Sequence, residues 1–209
     1  MILTEQQTDA VTELINIAFS RSAASLSELT GSRVDLEVPE VSVHPVETVT
    51  GTLGRFVTGE VATVHQVFTG PVEGDAFLLL NFDGAVHLVE LLTNDQVSAR
   101  GLGASAREVV TEVGNILMNA CLGVFGNLLH VRFSFSVPRL SLDDLGAMVK
   151  SIVIDSQPMQ HALVVGARFR LRNSEVTGCL VLVLGISSFE LFLREVEAWA
   201  ERSVTGDGV

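Results

Sequence analysis

Apolar residues recur at spacings of three and four in two long segments of the chain, one after Thr4 and one after Ser105. This spacing predicts that each segment is an amphipathic helix. Both segments begin with a capping box, in which a Ser or Thr caps the helix and a Glu or Gln three residues later caps it in return. The two predicted boxes are Thr4 with Gln7 and Ser105 with Glu108.

After each helix, alternating apolar positions and β-branched residues predict strands, and a second helical pattern closes each half of the chain. In the first half, strands are predicted over 33–43, 55–68 and 75–82. In the second half, they are predicted over 131–137, 148–155, 161–171 and 176–185. Each half therefore has the same order of helix, strands and helix.

This repeated order reflects an internal duplication of the sequence. The segment that begins at Asp9 aligns without a gap to the segment that begins at Glu108, at an offset of 99 residues. The segment from Ala76 matches the one from Leu180 in pattern, at an offset of 104 residues. The chain thus resembles two tandem copies of one motif.

The duplication decides the expected architecture. We expect a single domain over 1–209 with pseudo-repeats at 4–95 and 104–203, because the link between the halves is short. The predicted fold class is α/β (α+β). In it, a duplicated helix-plus-β-meander motif forms an antiparallel-type sheet that is flanked by helices and has a pseudo-two-fold axis.

Composition and charge exclude some classes of partner. Of 209 residues, 47% are hydrophobic and 18% are charged, against about 25% charged in an average globular protein. Thirteen Lys and Arg stand against 25 Asp and Glu, which gives a net charge of −12. Nucleic acids and anionic membranes attract basic surfaces, so neither is expected to bind this chain.

The cysteines and apolar runs favour a cytoplasmic protein. Cys121 and Cys179 lie in apolar runs without the spacing of a zinc or redox motif, so we expect reduced core residues. The first residues lack a basic segment followed by an apolar stretch, so no secretory signal is expected. The most apolar segment, 179–186, is far shorter than the roughly 20 residues that cross a bilayer. The five histidines are scattered, and no metal site is predicted.

A narrow line of polar residues runs along each of the two opening helices. Positions i, i+4, i+7 and i+11 of a helix form a stripe about 60° wide. These positions are Asp9, Glu13, Asn16 and Ser20 in the first helix, and Glu108, Glu112, Asn115 and Asn119 in the second. A solvated face is the commoner explanation of such a line. Asn, however, is a poor helix former, and the same Glu-x-x-Asn recurs in both copies.

A carboxylate and a carboxamide one helical turn apart suit a particular chemistry. The amide can donate and accept hydrogen bonds, so it can hold a water in line with an electrophile, while the carboxylate can pair with a cation on a partner. Phosphoryl transfer depends mainly on positioning and charge stabilisation. Orienting one water is therefore enough to affect its rate.

This pattern of an acidic residue or Ser, then Glu, Asn and Asn, resembles the CheC branch of the CheC/CheX/FliY phosphatases of bacterial and archaeal chemotaxis. The resemblance covers nearly the whole chain, including the segments EVPEVSV and SVPRLSL after the two helices. It implies a hydrolase of two-component signalling that removes the phosphate from the phospho-aspartate of a phosphorylated CheY-type response regulator.

The resemblance also implies a role for each stripe residue. The catalytic residues would be Glu13, Asn16, Glu112 and Asn115. Each Glu would pair with the active-site Lys of the regulator, and each Asn would enter the regulator's acidic pocket to position the attacking water. No cofactor is expected on this chain, because Mg²⁺ would sit on the regulator.

The four other stripe residues would support partner binding: Asp9, Ser20, Glu108 and Asn119. Glu108 replaces the family's usual Asp or Ser, and Ser20 stands where the last Asn is expected. The second helix therefore matches the family pattern better than the first. Apolar docking contacts around the stripes are expected from Phe19 and Met118.

Two other functions fit the same sequence. One is a non-catalytic binding module similar to the middle domain of flagellar switch proteins, which lack the Glu-x-x-Asn pair. The other is a regulator that binds a CheD-type deamidase. The retained pairs favour the phosphatase over the binding module, whereas the sequence does not separate the phosphatase from the deamidase regulator. A monomer is expected, as in other family members that carry two motifs in one chain.

Overall fold

The computed structural model describes residues 3–31, 33–37, 40–93, 101–128, 130–155, 160–171 and 174–205. The helices are α1 (Glu5–Thr30), α2 (Val49–Leu53), α3 (Phe82–Thr93), α4 (Ala104–Leu128), α5 (Leu145–Asp155) and α6 (Ile186–Thr205). The strands are β1 (Val34–Glu37), β2 (Val41–Pro45), β3 (Glu60–Thr69), β4 (Gly74–Asn81), β5 (Ser134–Phe135), β6 (Arg139–Asp144), β7 (Gln160–Leu171) and β8 (Ser174–Gly185). A short 3₁₀ turn, Val46–Thr48, precedes α2.

These eight strands form one antiparallel sheet with the order β1-β7-β8-β4-β3-β5. At its two ends, β2 also pairs with β7, and β6 also pairs with β3. The first two strands of each half therefore pair with a strand of the other half. The predicted fold class, an antiparallel sheet flanked by helices, is confirmed.

Exchanging the two halves leaves the strand order unchanged, as a two-fold axis between β4 and β8 requires. At the centre of that pair, Phe77 is directly opposite Val181. In the helix layer, the Ser22 hydroxyl lies 3.6 Å from the Cys121 sulfur. Both pairs join positions that the repeat alignment makes equivalent, as expected where such an axis passes. The domain and repeat bounds themselves stay a prediction.

The sheet is buried on both faces. On one face, α1, α3, α4 and α6 enclose the larger core, which takes Leu180, Leu182 and Leu184 from β8. On the other face, α2, α5 and the 3₁₀ turn enclose a smaller core with Val181 and Val183. Side chains of a strand alternate between faces, so an almost continuous apolar run suits a strand that is covered on both sides.

The local predictions are partly right. The Thr4–Gln7 capping box is present at α1, but the second predicted box is wrong. Helix α4 begins at Ala104, before Ser105, and the Gly103 carbonyl accepts the first hydrogen bond, from the Arg107 amide.

Strand boundaries differ from the prediction at several places. The strand predicted over 33–43 is two strands, β1 and β2; residues 38 and 39 lie outside the described part. Strand β3 begins at Glu60 instead of residue 55. The strand predicted over 131–137 is reduced to β5, and β6 follows it where the sequence predicted none.

The strand predicted over 148–155 is wrong, because this segment belongs to α5. Its β-branched residues indicated a strand. The Asp144 carboxylate, however, accepts a hydrogen bond of 2.8 Å from the Gly146 amide at the helix start, which favours helix initiation. Leu145, Met148 and Val149 have the spacing of one helical face and pack on the smaller core.

By length and composition alone, one helix in the described part of the chain is apolar enough to cross a membrane. It is the Ala104–Asn127 portion of α4, and 56% of its apolar window is buried inside the protein. Helix α4 packs against α1, α3 and β3. Its apolar character is therefore that of a core helix.

Close packing of α4 on the sheet predicts that Gly114→Ala is destabilising. An added Cβ would lie 2.7 Å from Val64 Cγ1, and overpacking of a core costs about 1–3 kcal/mol. This cost exceeds the gain of about 1 kcal/mol in helix propensity. Urea unfolding should show a lower free energy of unfolding.

Gly123→Ala on the same helix is the matched control, because an added Cβ there meets nothing within 4 Å. It should raise the free energy of unfolding by up to about 1 kcal/mol. Equal stabilisation by both substitutions would contradict the close approach of α4 to β3.

Candidate functional site

Helix α1 presents the first polar stripe to solvent. All four of its members are exposed: Asp9, Glu13, Asn16 and Ser20. The positions between them point into the larger core, where Leu14, Ile15 and Ala18 are fully buried. The core-facing side of α1 thus fixes which face carries the carboxylate and the amide.

Helix α4 presents the second stripe, but at a different depth. Glu108 and Glu112 are exposed, whereas Asn115 and Asn119 are half-buried. The prediction that Phe19 and Met118 make docking contacts is wrong, because these side chains are 4% and 0% exposed and belong to the larger core. The apolar residues of both helices serve packing.

The two motifs form separate sites. Asn16 lies six residues before Ser22, and Asn115 lies six residues before Cys121, which corresponds to about 9 Å along each helix. Ser22 and Cys121 mark the contact between the helices. Among the described residues, no hydrogen bond joins a stripe residue of α1 to a stripe residue of α4. Each helix therefore carries its own Glu-x-x-Asn pair.

Asn115 is held by two neighbouring amides. The Asn119 amide nitrogen donates to Asn115 Oδ1 over 2.7 Å, one helical turn away. From β3, the Gln66 amide nitrogen lies 3.4 Å from the same oxygen and donates to the Ser136 carbonyl over 2.8 Å. Gln66 is only 2% exposed. We call Gln66, Asn115 and Asn119 the amide chain.

Sequence reasoning missed Gln66. A signal was available, because Ala62, Val64 and Phe68 are core-facing residues of β3 at alternate positions, and Gln66 continues their series. A polar side chain in such a series must find hydrogen-bond partners inside the protein. The pattern indicates that a partner exists but not which residue it is.

Asn16 has no comparable support. The Ser20 hydroxyl donates to the Asn16 backbone carbonyl over 2.8 Å, so it does not reach the Asn16 side chain. Within the described ranges, no side chain makes a hydrogen bond with the Asn16 amide. The first site therefore presents a solvated amide that no neighbour orients.

The strand register explains part of this difference. Gln66 pairs with Ala76 in β4, and Val165 pairs with Leu180 in β8. Since Ala76 and Leu180 are equivalent in the repeat alignment, Val165 occupies the place of Gln66 in the other half. A valine side chain cannot hydrogen-bond an amide. At the first site, an apolar side chain of β7 therefore stands where the second site has the Gln66 amide of β3.

Helix packing explains the remainder. Gly114 precedes Asn115 and lets α4 approach Val64 of β3, because its lack of a side chain leaves room. The equivalent position in α1 is Ile15, which is fully buried. The Ile15 side chain fills the space that Gly114 leaves open at the equivalent place in α4. Among the residues that the structure describes, a stripe amide comes within hydrogen-bonding reach of a strand side chain only at the second site.

The carboxylates of the two pairs are available to a partner. Neither Glu13 nor Glu112 takes part in an ion pair with another residue in the described parts of the chain. Each is exposed and lies one turn from its Asn on the same helix face. No group of three or more His, Cys, Asp or Glu in those parts is arranged to hold a metal ion. Pairing with a cation on another molecule is the chemistry these carboxylates can provide.

Comparison with known proteins identifies relatives of this chain. A model of the CheC-like family matches residues 7–43, which include the first stripe. The Bacillus subtilis protein named CheY-P phosphatase CheC is 28% identical over 90% of this chain and 92% of its own length. The flagellar motor switch phosphatase FliY of the same organism is 26% identical over 68% of this chain and 37% of its own length.

Solved structures share the fold. Thermotoga maritima FliY matches with a TM-score of 0.72 at 20% identity, over 93% of this chain and 100% of that one. The middle domain of FliM from H. pylori matches with a TM-score of 0.63 at 13% identity, over 92% of this chain and 99% of that one. At such identities the likeness establishes the arrangement of helices and strands alone.

The buried cysteines generate a prediction that is independent of the stripes. Cys121 and Cys179 are free and buried, as expected from their apolar surroundings. Burial raises the pKa of the Cys121 thiol to about 12, although the Ser22 hydroxyl opposes the shift, and burial also raises the pKa of Cys179. The thiolate is the nucleophile that attacks a thiol reagent, so the native protein at pH 8 should react at least about 100-fold more slowly than the unfolded chain.

Reaction with a chromogenic disulfide reagent, with and without denaturant, measures this difference. Raising the pH to 9 in the native state should leave the reaction slow, because the pKa of Cys121 lies well above that value. Reaction of the native protein at the rate of the unfolded chain would contradict the burial of both thiols.

Proposed function

Because this chain is similar to CheC-like proteins in sequence and fold, we propose that it hydrolyses the phospho-aspartate of a CheY-type response regulator. The observation that carries the proposal is the exposed Glu-x-x-Asn pair, which occurs on both α1 and α4. A relative named as a CheY-P phosphatase aligns with 90% of the chain. The proposed class is therefore a protein aspartyl-phosphate phosphatase of chemotaxis signalling.

In the proposed mechanism the carboxylate binds the regulator. Glu13 or Glu112 pairs with the lysine beside the regulator's phosphorylation site. Each carboxylate is exposed and unpaired within the described residues, so pairing breaks no internal contact. Because this lysine belongs to the regulator's active site, the pairing places the helix stripe beside the phosphorylation site.

The amide acts on the water. Asn16 or Asn115 lies one helical turn from its Glu and enters the acidic pocket of the regulator, where its carboxamide holds a water in line with the phosphorus–oxygen bond. The transition state of phosphoryl transfer is loose, so positioning of the nucleophile supplies much of the catalysis. Mg²⁺ belongs to the regulator in this mechanism, and no residue of this chain is assigned to it.

A non-catalytic binding module is the second candidate. The fold match to the FliM middle domain supports it, because a shared fold does not imply a shared activity. The two exposed Glu-x-x-Asn pairs favour the phosphatase. Binding of a CheD-type deamidase, a monomeric state and a cytoplasmic location stay predictions from the resemblance.

Removing the amides tests the water-positioning role. Phosphate release from a phosphorylated CheY-type regulator should fall in Asn16→Ala and Asn115→Ala, and most in the double variant. Loss of one oriented polar contact in a transition state costs about 2–4 kcal/mol, or about 30- to 1,000-fold where that site dominates.

Asn127→Ala is the matched control, because Asn127 is exposed on α4 but lies outside the stripe. It should leave the rate unchanged. A double Asn16→Ala, Asn115→Ala variant as fast as the wild type would exclude the proposed mechanism.

Removing the carboxylate charge tests the binding role. In Glu13→Gln with Glu112→Gln, affinity for the regulator should fall about 10-fold or more, because a hydrogen bond to a charged partner is lost. The wild-type affinity should also weaken with salt more steeply than that of the variant. Glu28→Gln, an exposed carboxylate of α1 outside the stripe, is the control, and an equal effect of both changes would show only a loss of net charge.

A further inference from the structure

The amide chain links the surface of α4 to the interior of the sheet. Gln66 lies on β3 beneath α4, Asn115 lies on α4 within reach of Gln66, and Asn119 contacts Asn115 from one helical turn further along α4. Three hydrogen bonds connect these residues with one another and with the backbone of the segment between β5 and β6. A side-chain network that joins a buried residue to a stripe residue can transmit orientation to the stripe.

The backbone carbonyl of Ser136 fixes the direction of this network. A carbonyl oxygen only accepts hydrogen bonds, so Gln66 must turn its amide nitrogen toward it. That same nitrogen faces Asn115, which must therefore offer its oxygen. With this oxygen already facing Gln66, Asn119 must approach it with a nitrogen. Each choice forces the next, and none of the three amides can flip alone.

The result for Asn115 is a defined polarity. Its Oδ1 is occupied by the amide nitrogens of Gln66 and Asn119. Its own amide nitrogen makes no hydrogen bond with any residue in the described ranges. Because the carboxamide is planar, the Asn115 amide nitrogen points away from the two residues that donate to its oxygen. The group left for a partner molecule is therefore a hydrogen-bond donor.

The network leaves two buried oxygen atoms without a hydrogen-bond partner, which lowers the stability of the protein. The Gln66 Oε1 and the Asn119 Oδ1 are buried without a hydrogen-bond partner. Unsatisfied buried polar atoms are destabilising. The equivalent place in the other half is filled by Val165, so the fold itself accepts an apolar residue there. Stability does not explain why Gln66 is polar.

We propose that Gln66 is a positioning residue of the second site, and that the amide chain holds Asn115 with its amide nitrogen directed at the phosphorylated regulator. This proposal rests on the proposed function. The donor suits acceptors only: the oxygen of the attacking water, a phosphoryl oxygen or a carboxylate of the regulator's acidic pocket. The first site has no such amide chain among the described residues, so the Asn16 carboxamide must be oriented when the regulator binds.

Gln66→Leu tests the positioning role, because leucine has a similar volume and no hydrogen-bonding group. In an Asn16→Ala background, where only the second site acts, kcat should fall about 10- to 100-fold, as expected when a catalytic group is misplaced. The KM should stay unchanged, since Glu112 remains. In an Asn115→Ala background, where only the first site acts, Gln66→Leu should leave both constants unchanged.

A merely structural role for Gln66 predicts another outcome. It would lower the activity of both backgrounds together and reduce the free energy of unfolding. We expect Gln66→Leu to retain that free energy, because loss of the hydrogen bonds of the Gln66 amide nitrogen is offset by removal of the buried Gln66 Oε1, which has no partner. Equal loss of kcat in both backgrounds, or no loss in the Asn16→Ala background, would overturn the proposal. Gln66→Met provides a second apolar variant with a flexible side chain.

A measurement without substrate separates this proposal from the proposed function. In NMR spectra of the free protein, the side-chain carboxamide protons of Gln66 and Asn119 should exchange slowly with solvent. The side-chain carboxamide protons of Asn115 should exchange rapidly. Gln66→Leu should shift the Asn115 side-chain signals and leave those of Asn16 in place. Rapid exchange at Asn119 with slow exchange at Asn115 would refute the polarity. Absence of phosphatase activity in the wild type, with the expected spectra, would refute the proposed function instead.

Discussion

The antiparallel pairing of β4 with β8 is the constraint on which the rest of the molecule depends. It joins the two halves at the centre of the sheet and places Phe77 opposite Val181. Because both strands are covered on both faces, their side chains supply the middle of both hydrophobic cores. The positions of α1 and α4 above the sheet follow from it, and so does the separation of the two polar stripes onto different helices.

The same packing that makes the halves alike also lets them differ. At α4, Gly114 allows the helix to approach β3, and a buried Gln66 meets the stripe. At α1, Ile15 and Val165 occupy the corresponding places with apolar side chains. A third difference is Ser20, which stands at the position equivalent to Asn119. These three differences between equivalent positions leave Asn16 solvated, whereas Asn115 is held by neighbouring amides. The Glu-x-x-Asn spacing is identical in both halves, so the difference lies entirely beneath and beside it.

Periodicity and self-comparison were sufficient to predict an antiparallel sheet, the four helices of the larger core (α1, α3, α4 and α6) and which face of α1 and α4 carries the polar stripes. They were insufficient where a short segment depends on tertiary contacts. The 148–155 segment has β-branched residues typical of a strand, yet its burial on the smaller core and the Asp144 hydrogen bond favour a helix. Gln66 was equally hidden, because its partner Asn115 is remote in sequence and meets it only when α4 lies on β3. Phe19 and Met118 were misjudged for the converse reason, since proximity to a stripe in sequence does not determine exposure.

The exchange of strands between the halves also determines when the chain can close its fold during synthesis. Strands β1 and β2 find their partner only in β7, where Val34 pairs with Leu171 and Val41 with Val165. At about 5–20 residues per second, a ribosome needs many seconds to make the intervening chain. For that time the first half carries two unpaired strands and an open core face. Contacts between such distant segments also slow folding after synthesis is complete. A chaperone that shields apolar strands would therefore meet this protein first at its N-terminal half, before either Glu-x-x-Asn pair has its sheet beneath it.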